Sequence, residues 1–227
     1  MKNWLVVFDL DDTLFPELSF VRSGFQAVAG YLEEKLGLKG FFEKCWEKFE
    51  KGERKTIFNQ VLAESGIEPS PELISELVKI YRTHPPKIAF YPGAEQILNQ
   101  LTKTAHLALI TDGPKEMQRN KAQALGLQKW FEEMIFTDEW GENFAKPSPA
   151  PFLELEKKFN LKQKKCFYIA DNPKKDFLAP NQLGWNTIQI FHPNQLYARQ
   201  EFPGEHQAKF QVNGFSELRS LLEKLLV

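Results

Sequence analysis

Cysteine and histidine are both scarce in this chain. The two cysteines, Cys45 and Cys166, are too few and too far apart for a disulfide framework or a cysteine zinc site. Cys166 sits in an apolar run, as a small core residue would. The four histidines, His84, His106, His192 and His206, show no metal-ligand spacing. A dominant charge is also lacking. Lys and Arg number 29 against 30 Asp and Glu, for a net charge of -1. That gives no electrostatic reason to expect a nucleic acid or a membrane surface as partner. No apolar stretch is long enough to cross a bilayer. The N-terminal apolar run is too short for a signal peptide, so the expected address is cytoplasmic. Repeats and low-complexity segments are absent. What the chain does have is core material: 42% hydrophobic residues, twenty Phe and five Trp in 227 residues. This suits a folded protein of one domain with an insertion, or of two small domains.

One stretch organises the rest, Trp4-Leu5-Val6-Val7-Phe8-Asp9-Leu10-Asp11-Asp12-Thr13. An apolar run without polar alternation reads as a strand buried on both faces of a parallel sheet. It ends abruptly in carboxylates. Asp9 and Asp11 lean the same way if the strand continues that far. Two such carboxylates repel and resist desolvation, and a divalent cation relieves both problems. The alternative is an acidic strand end with Asp12-Thr13 capping a helix.

From about Phe15 to Tyr91 the pattern is helical. Apolar stripes run through Val21, Phe25 and Val28, then Phe41, Cys45 and Phe49, then Ile57 and Val61, then Leu73, Leu77 and Ile80. Ser70-Pro71 is a cap followed by Pro at the first helical position. Strands and helices alternate afterwards. Strands are expected at His106–Ile110, Met134–Phe136, Cys166–Ala170 and Thr187–Phe191, and helices after Pro92, from Pro114 to Gly126, over Phe152–Phe159, up to Gly184, and over Phe215–Leu225. His192 to Gln211 reads as one long polar loop. The expected fold is therefore α/β, a doubly wound parallel sheet of the Rossmann-like kind. The expected domains are a core of residues 1–15 and 92–227, and a helical insert of residues 16–91.

Ligands of such sheets bind beyond the carboxyl ends of the strands. Asp9 and Asp11, Thr111-Asp112-Gly113, Asp171, and Lys146 ahead of a helix all fall on that rim. With a phosphorylated substrate there, Asp9 would attack phosphorus. Asp11 would protonate the leaving oxygen and then activate water. Mg²⁺ and Lys146 would supply positive charge, with Asp9, a carbonyl near Asp11, and Asp171 as metal ligands. The Thr111 hydroxyl and the backbone N–H groups at Asp112-Gly113 would meet phosphoryl oxygens. Asp176 would orient Lys146 or a metal-bound water. Each cluster taken alone has a plainer reading: a turn and cap at 111–114, a surface lysine before Pro147, and a helix start at Asp171-Asn172-Pro173 with Asp176 favouring the helix dipole.

In order, Asp9-x-Asp11-x-Thr13, Thr111 after an apolar strand, Lys146-Pro147, and Asp171-Asn172-Pro173-x-x-Asp176 resemble the four motifs of the haloacid dehalogenase superfamily. The insert after the first motif resembles its type I helical cap. The resemblance implies a five-stranded core sheet. It also implies Asp9 as nucleophile, Asp11 as acid/base, Thr111 and Lys146 as phosphate holders, and Asp9, Asp11 and Asp171 around Mg²⁺, with Thr13 and Asp176 behind them. Ala170 departs from the Gly that many relatives carry there. The dehalogenases of this fold lack the second Asp, so Asp11 argues against carbon–halogen cleavage. The implied activity is a Mg²⁺-dependent phosphatase of a small phosphorylated metabolite, monomeric or homodimeric. Alternatives are a phosphomutase of the same fold, or a non-catalytic phospho-ligand sensor like the receiver domains, which are shorter and lack the insert. Arg22, early in the first insert helix, is the candidate for substrate contact.

Overall fold

The structure, a computed structural model, describes residues 2–196 and 202–226. In chain order its main elements are β1 (Trp4–Phe8), α1 (Glu17–Leu36), α2 (Phe41–Glu50), α3 (Ile57–Glu64), α4 (Pro71–Thr83), α5 (Ala94–Leu101), β2 (Ala105–Thr111), α6 (Lys115–Ala124), β3 (Glu133–Phe136), α7 (Ala150–Phe159), β4 (Cys166–Ala170), α8 (Leu178–Gln182), β5 (Asn186–Phe191), β6 (Phe210–Asn213) and α9 (Gly214–Leu225). They fall into two compact units, Met1–Leu18 with Ile88–Val227, and Ser19–Lys87.

The first unit is built around β1. Leu5, Val6, Val7 and Phe8 have no exposed surface, which explains a strand sequence with no polar alternation. β1 pairs in parallel with β2 on one side and β4 on the other. β3 extends the sheet beyond β2, and β5 beyond β4. Leu5 and Val7, Ala108 and Ile110, and Cys166, Tyr168 and Ala170 share one face, packed with Phe152 and Leu155 of α7 and with Trp185. The buried Trp185 indole donates to Glu156 Oε1 at 2.8 Å, so its polar atom costs the core nothing.

The sheet has six strands among the described residues, in the order β3-β2-β1-β4-β5-β6, not five. β6 pairs in parallel with β5 and begins within the last two residues of the polar loop expected over 192–211. That loop is further broken by a 3₁₀ turn at Gly204–His206, and its residues 197–201 lie outside the described residues. β6 is four residues long, and only Val212 among them is buried. A short edge strand with one inward side chain carries almost no hydropathy pattern.

In the second unit, Phe20, Val21, Phe25, Val28 and Leu32 of α1 are buried, as are Phe41, Cys45 and Phe49 of α2 and Val61, Leu62 and Leu77 beyond them. Phe25 packs edge-on against Phe49 and Phe58, with ring centroids 6.0 and 5.9 Å away. α1 and α4 approach closely at Gly24, where a Cβ would lie 2.5 Å from the Tyr81 ring. His84 is structural: its ring nitrogens lie 2.7 Å from Tyr81 O and 2.9 Å from Ser23 Oγ. The Arg22 guanidinium lies over the rings of Phe42 and Trp46, 5.8 and 5.5 Å from their centroids.

Candidate active site

The site forms at the carboxyl ends of β1, β2 and β4, all within the first unit. Asp9 directly follows β1, and its N–H still donates to Ile169 O of β4 at 2.9 Å, which fixes its backbone in the sheet. Its carboxylate is 2% exposed. Oδ1 lies 2.5 Å from Lys146 Nζ, and Thr13 Oγ1 donates to Oδ2 at 3.4 Å.

Lys146 is a buried ammonium between two acids, not a surface lysine. Its Nζ is 2.5 Å from Asp9 and 2.7 Å from Asp176, and it donates to Tyr168 Oη at 2.9 Å. Burial favours the neutral amine, but Asp176 and Asp9 outweigh it and hold the pKa well above the usual lysine range. Asp176 has no exposed surface and also accepts from the Asn172 N–H at 3.0 Å.

Carboxylate oxygens of Asp9, Asp171 and Asp176 lie within 4.8 Å of one another. Burial pushes the Asp9 carboxyl up to about 6, with Lys146 opposing and Asp176 adding to the rise. Burial raises Asp171 strongly, and repulsion from Asp176 and Asp9 raises it further. Lys146 and the nearby Lys175 are fewer than the three acids they face. Hard oxygen donors at this spacing, with ionisation suppressed by burial and mutual repulsion, fit a small divalent cation such as Mg²⁺.

Asp11 stands apart from this cluster. Lys121 Nζ lies 2.6 Å from its Oδ1, and Gln118 Nε2 donates to its Oδ2 at 2.7 Å. Gln118 Nε2 also reaches Thr111 Oγ1, at 2.5 Å. Thr111 ends β2 and is 1% exposed. Gly113 turns the chain with φ 115°, a conformation that a side chain strongly disfavours, and this carries the loop into α6. The Asp112 carboxylate accepts from Thr137 Oγ1 at 2.8 Å and from the Lys146 N–H at 3.2 Å, with Lys175 Nζ 3.6 Å away. Burial works against its ionisation, but Lys146 and Lys175 prevail and hold it below the usual range. Its side chain braces the loop, leaving the backbone of 112–113 as the part available to a ligand.

Asp12 does act as a helix-start acceptor. It adopts φ 50°, and its carboxylate takes the Glu17 N–H at 2.8 Å, the Leu196 N–H at 2.7 Å and the Tyr91 hydroxyl at 3.3 Å. The capping reading thus holds for Asp12, which sits beside the Asp9 and Asp11 carboxylates without sharing their partners. Glu17 carries a carboxyl pushed up to about 8, by burial first and then by Asp11.

Sequence reading missed Gln118, Lys121, Tyr168, Glu17 and Lys175. On α6 the polar run Lys115-Glu116-Met117-Gln118-Arg119-Asn120-Lys121 looks like a solvated face. Only the three-residue spacing of Gln118 and Lys121, which puts them on one side of the helix, could have hinted at them.

The family model described as haloacid dehalogenase-like hydrolase matches residues 6–190. A glyceraldehyde 3-phosphate phosphatase of Methanopyrus kandleri is 28% identical over 196 residues, covering 82% of each chain. A phosphoserine phosphatase of Thermus thermophilus is 26% identical over 226 residues, covering 82% of this chain and 88% of that protein. Among solved structures, the HAD-hydrolase YfnB of Bacillus subtilis, bound to magnesium, superposes with a TM-score of 0.71 at 18% identity, covering 98% of this chain and 99% of that one.

Proposed function

This chain belongs to the haloacid dehalogenase-like hydrolases, and we propose that it is a Mg²⁺-dependent phosphatase of a small phosphorylated metabolite, working through an aspartyl-phosphate on Asp9. The observation that carries the reading is the buried Asp9 carboxylate, 2.5 Å from Lys146 and grouped with the carboxylates of Asp171 and Asp176. A nucleophile must be ionised, and burial opposes that here. Bound Mg²⁺, held by Asp9, Asp171 and the neighbourhood of Asp11, would supply the positive charge that keeps the acids ionised and offsets the charge of the phosphoryl group.

The chain's own residues then divide the work. An Asp9 oxygen bonds to phosphorus as the bond to the leaving oxygen breaks, and Asp11 gives that oxygen its proton. In the second half, Asp11 takes a proton from water, the water oxygen bonds to phosphorus, and Asp9 leaves as a carboxylate. Thr111 and the backbone of Asp112-Gly113 hold phosphoryl oxygens. Lys146 fixes the nucleophile and balances its charge, while Thr13 and Asp176 orient Asp9 and Lys146. The insert, by its place in the chain after the first motif, is assigned the role of cap.

Relatives named for glyceraldehyde 3-phosphate and phosphoserine support a small phosphomonoester as substrate. The test is phosphate release from a panel of phosphorylated metabolites with Mg²⁺. Release by the wild type and its loss in Asp9→Asn are expected. No release from any compound, or undiminished release by Asp9→Asn, would overturn the reading.

A further inference from the structure

Helix α6 carries a polar sequence, yet Gln118 and Lys121 have no exposed surface. Burying an ammonium is costly unless a carboxylate meets it. Here Lys121 Nζ meets Asp11 Oδ1 at 2.6 Å and lies 5.9 Å from the centre of the Phe15 ring. Gln118 Nε2 meets the other Asp11 oxygen at 2.7 Å and Thr111 Oγ1 at 2.5 Å, while its Oε1 is buried with no hydrogen-bond partner. We propose that Gln118 and Lys121 are positioning residues that set Asp11 as the proton donor and acceptor and leave the Thr111 hydroxyl proton for a phosphoryl oxygen. The inference rests on the phosphatase reading above.

Both Asp11 oxygens are gripped from one helix face, so the carboxyl plane is fixed in two directions. Gln118 donates to the Asp11 carboxylate and to Thr111 through the same Nε2 group. Because Thr111 Oγ1 accepts from Gln118, its own hydrogen must point elsewhere. In the proposed cycle the leaving oxygen takes a proton from Asp11 and Asp11 takes one back from water, so the cycle balances.

A misplaced proton donor has a signature distinct from general damage. Donation matters for a poor leaving group and little for an activated one. The experiment measures kcat/KM, which reports the first transfer, for 4-nitrophenyl phosphate and phenyl phosphate with Mg²⁺. It uses the wild type, Lys121→Met and Gln118→Met, since Met keeps the side-chain volume. General acid catalysis contributes about 10²–10⁴-fold, so the variants should lose roughly 10²-fold on phenyl phosphate and under about 10-fold on 4-nitrophenyl phosphate. Lys121→Arg, which keeps the charge, should restore part of the lost ratio. Equal losses on both esters in a folded variant would overturn the proposal. If Lys121→Met does not fold, Gln118→Met carries the same expectation and the same refutation. Failure of the underlying reading looks different, because the wild type would then release no phosphate from either ester, or Asp9→Asn would release as much.

Discussion

The ammonium of Lys146 and the carboxylate of Asp9 form a 2.5 Å ion pair in which neither side chain is more than 3% exposed. An ion pair sealed this far from water is bound to the fold as much as to the chemistry. Removing one partner strands a charge, and Lys146 has a second acid, Asp176, at 2.7 Å. Lys146→Met is therefore expected to destabilise the protein by about 3–5 kcal/mol, as loss of one partner of a buried pair does. Urea unfolding measures this, and a midpoint unchanged from wild type would contradict the pairing.

The acids Asp9, Asp171 and Asp176 should couple metal binding to stability. With no cation their mutual repulsion weighs against the folded state. Mg²⁺ at a hundred times its Kd should stabilise by about 2.7 kcal/mol. Thermal unfolding with and without EDTA reads the shift. Asp171→Asn should shrink it severalfold, and a shift of full size in that variant would remove Asp171 from the ligand set.

His192 makes a separate prediction for pH. Its ring stacks on Tyr91 at 3.7 Å between centroids, and Nε2 is buried without a hydrogen-bond partner. Burial pushes its pKa down to about 4, against a hydrogen bond to the Thr13 backbone. The unfolded chain thus binds the proton more readily than the folded one. The stabilising effect of the neutral ring is fully present above the ordinary histidine range near 6.5 and is lost as pH falls toward 4. His192→Phe keeps the stacking and should flatten the pH dependence of unfolding free energy in that window. A variant curve parallel to that of the wild type would disprove the link.

In the helical unit, Gly24 is where a methyl group has no room, since a Cβ would lie 2.5 Å from the Tyr81 ring. Gly24→Ala should cost about 1–3 kcal/mol through overpacking, despite the better helix propensity of alanine. Stabilisation in calorimetry would mean that Tyr81 shifts freely.

Much of the fold was legible in the residues because its signals are local. Trp4 to Phe8 had to be a two-sided strand, since only that environment removes polar alternation. The same reasoning reached β2 and β4, and strand–helix alternation then implied a parallel sheet whose rim gathers Asp9, Thr111 and Asp171. β6 was not legible, because four residues with one buried side chain leave too short a pattern. Nor were the buried roles on α6, because a lysine and a glutamine on a polar helix read as solvated.

The order of the apolar runs and of the polar residues that end them was settled by the sequence alone, because a buried strand must announce itself residue by residue. Lys146 was expected on the rim with Asp9, but how closely the polar groups meet was decided only by the tertiary structure. Gln118 and Lys121 reach Asp11 across 107 and 110 positions, and Lys146 reaches Asp9 across 137. No periodicity spans such distances. Desolvation on that rim, not the sequence of either partner, turns a polar face of α6 and a lysine before a proline into parts of one site.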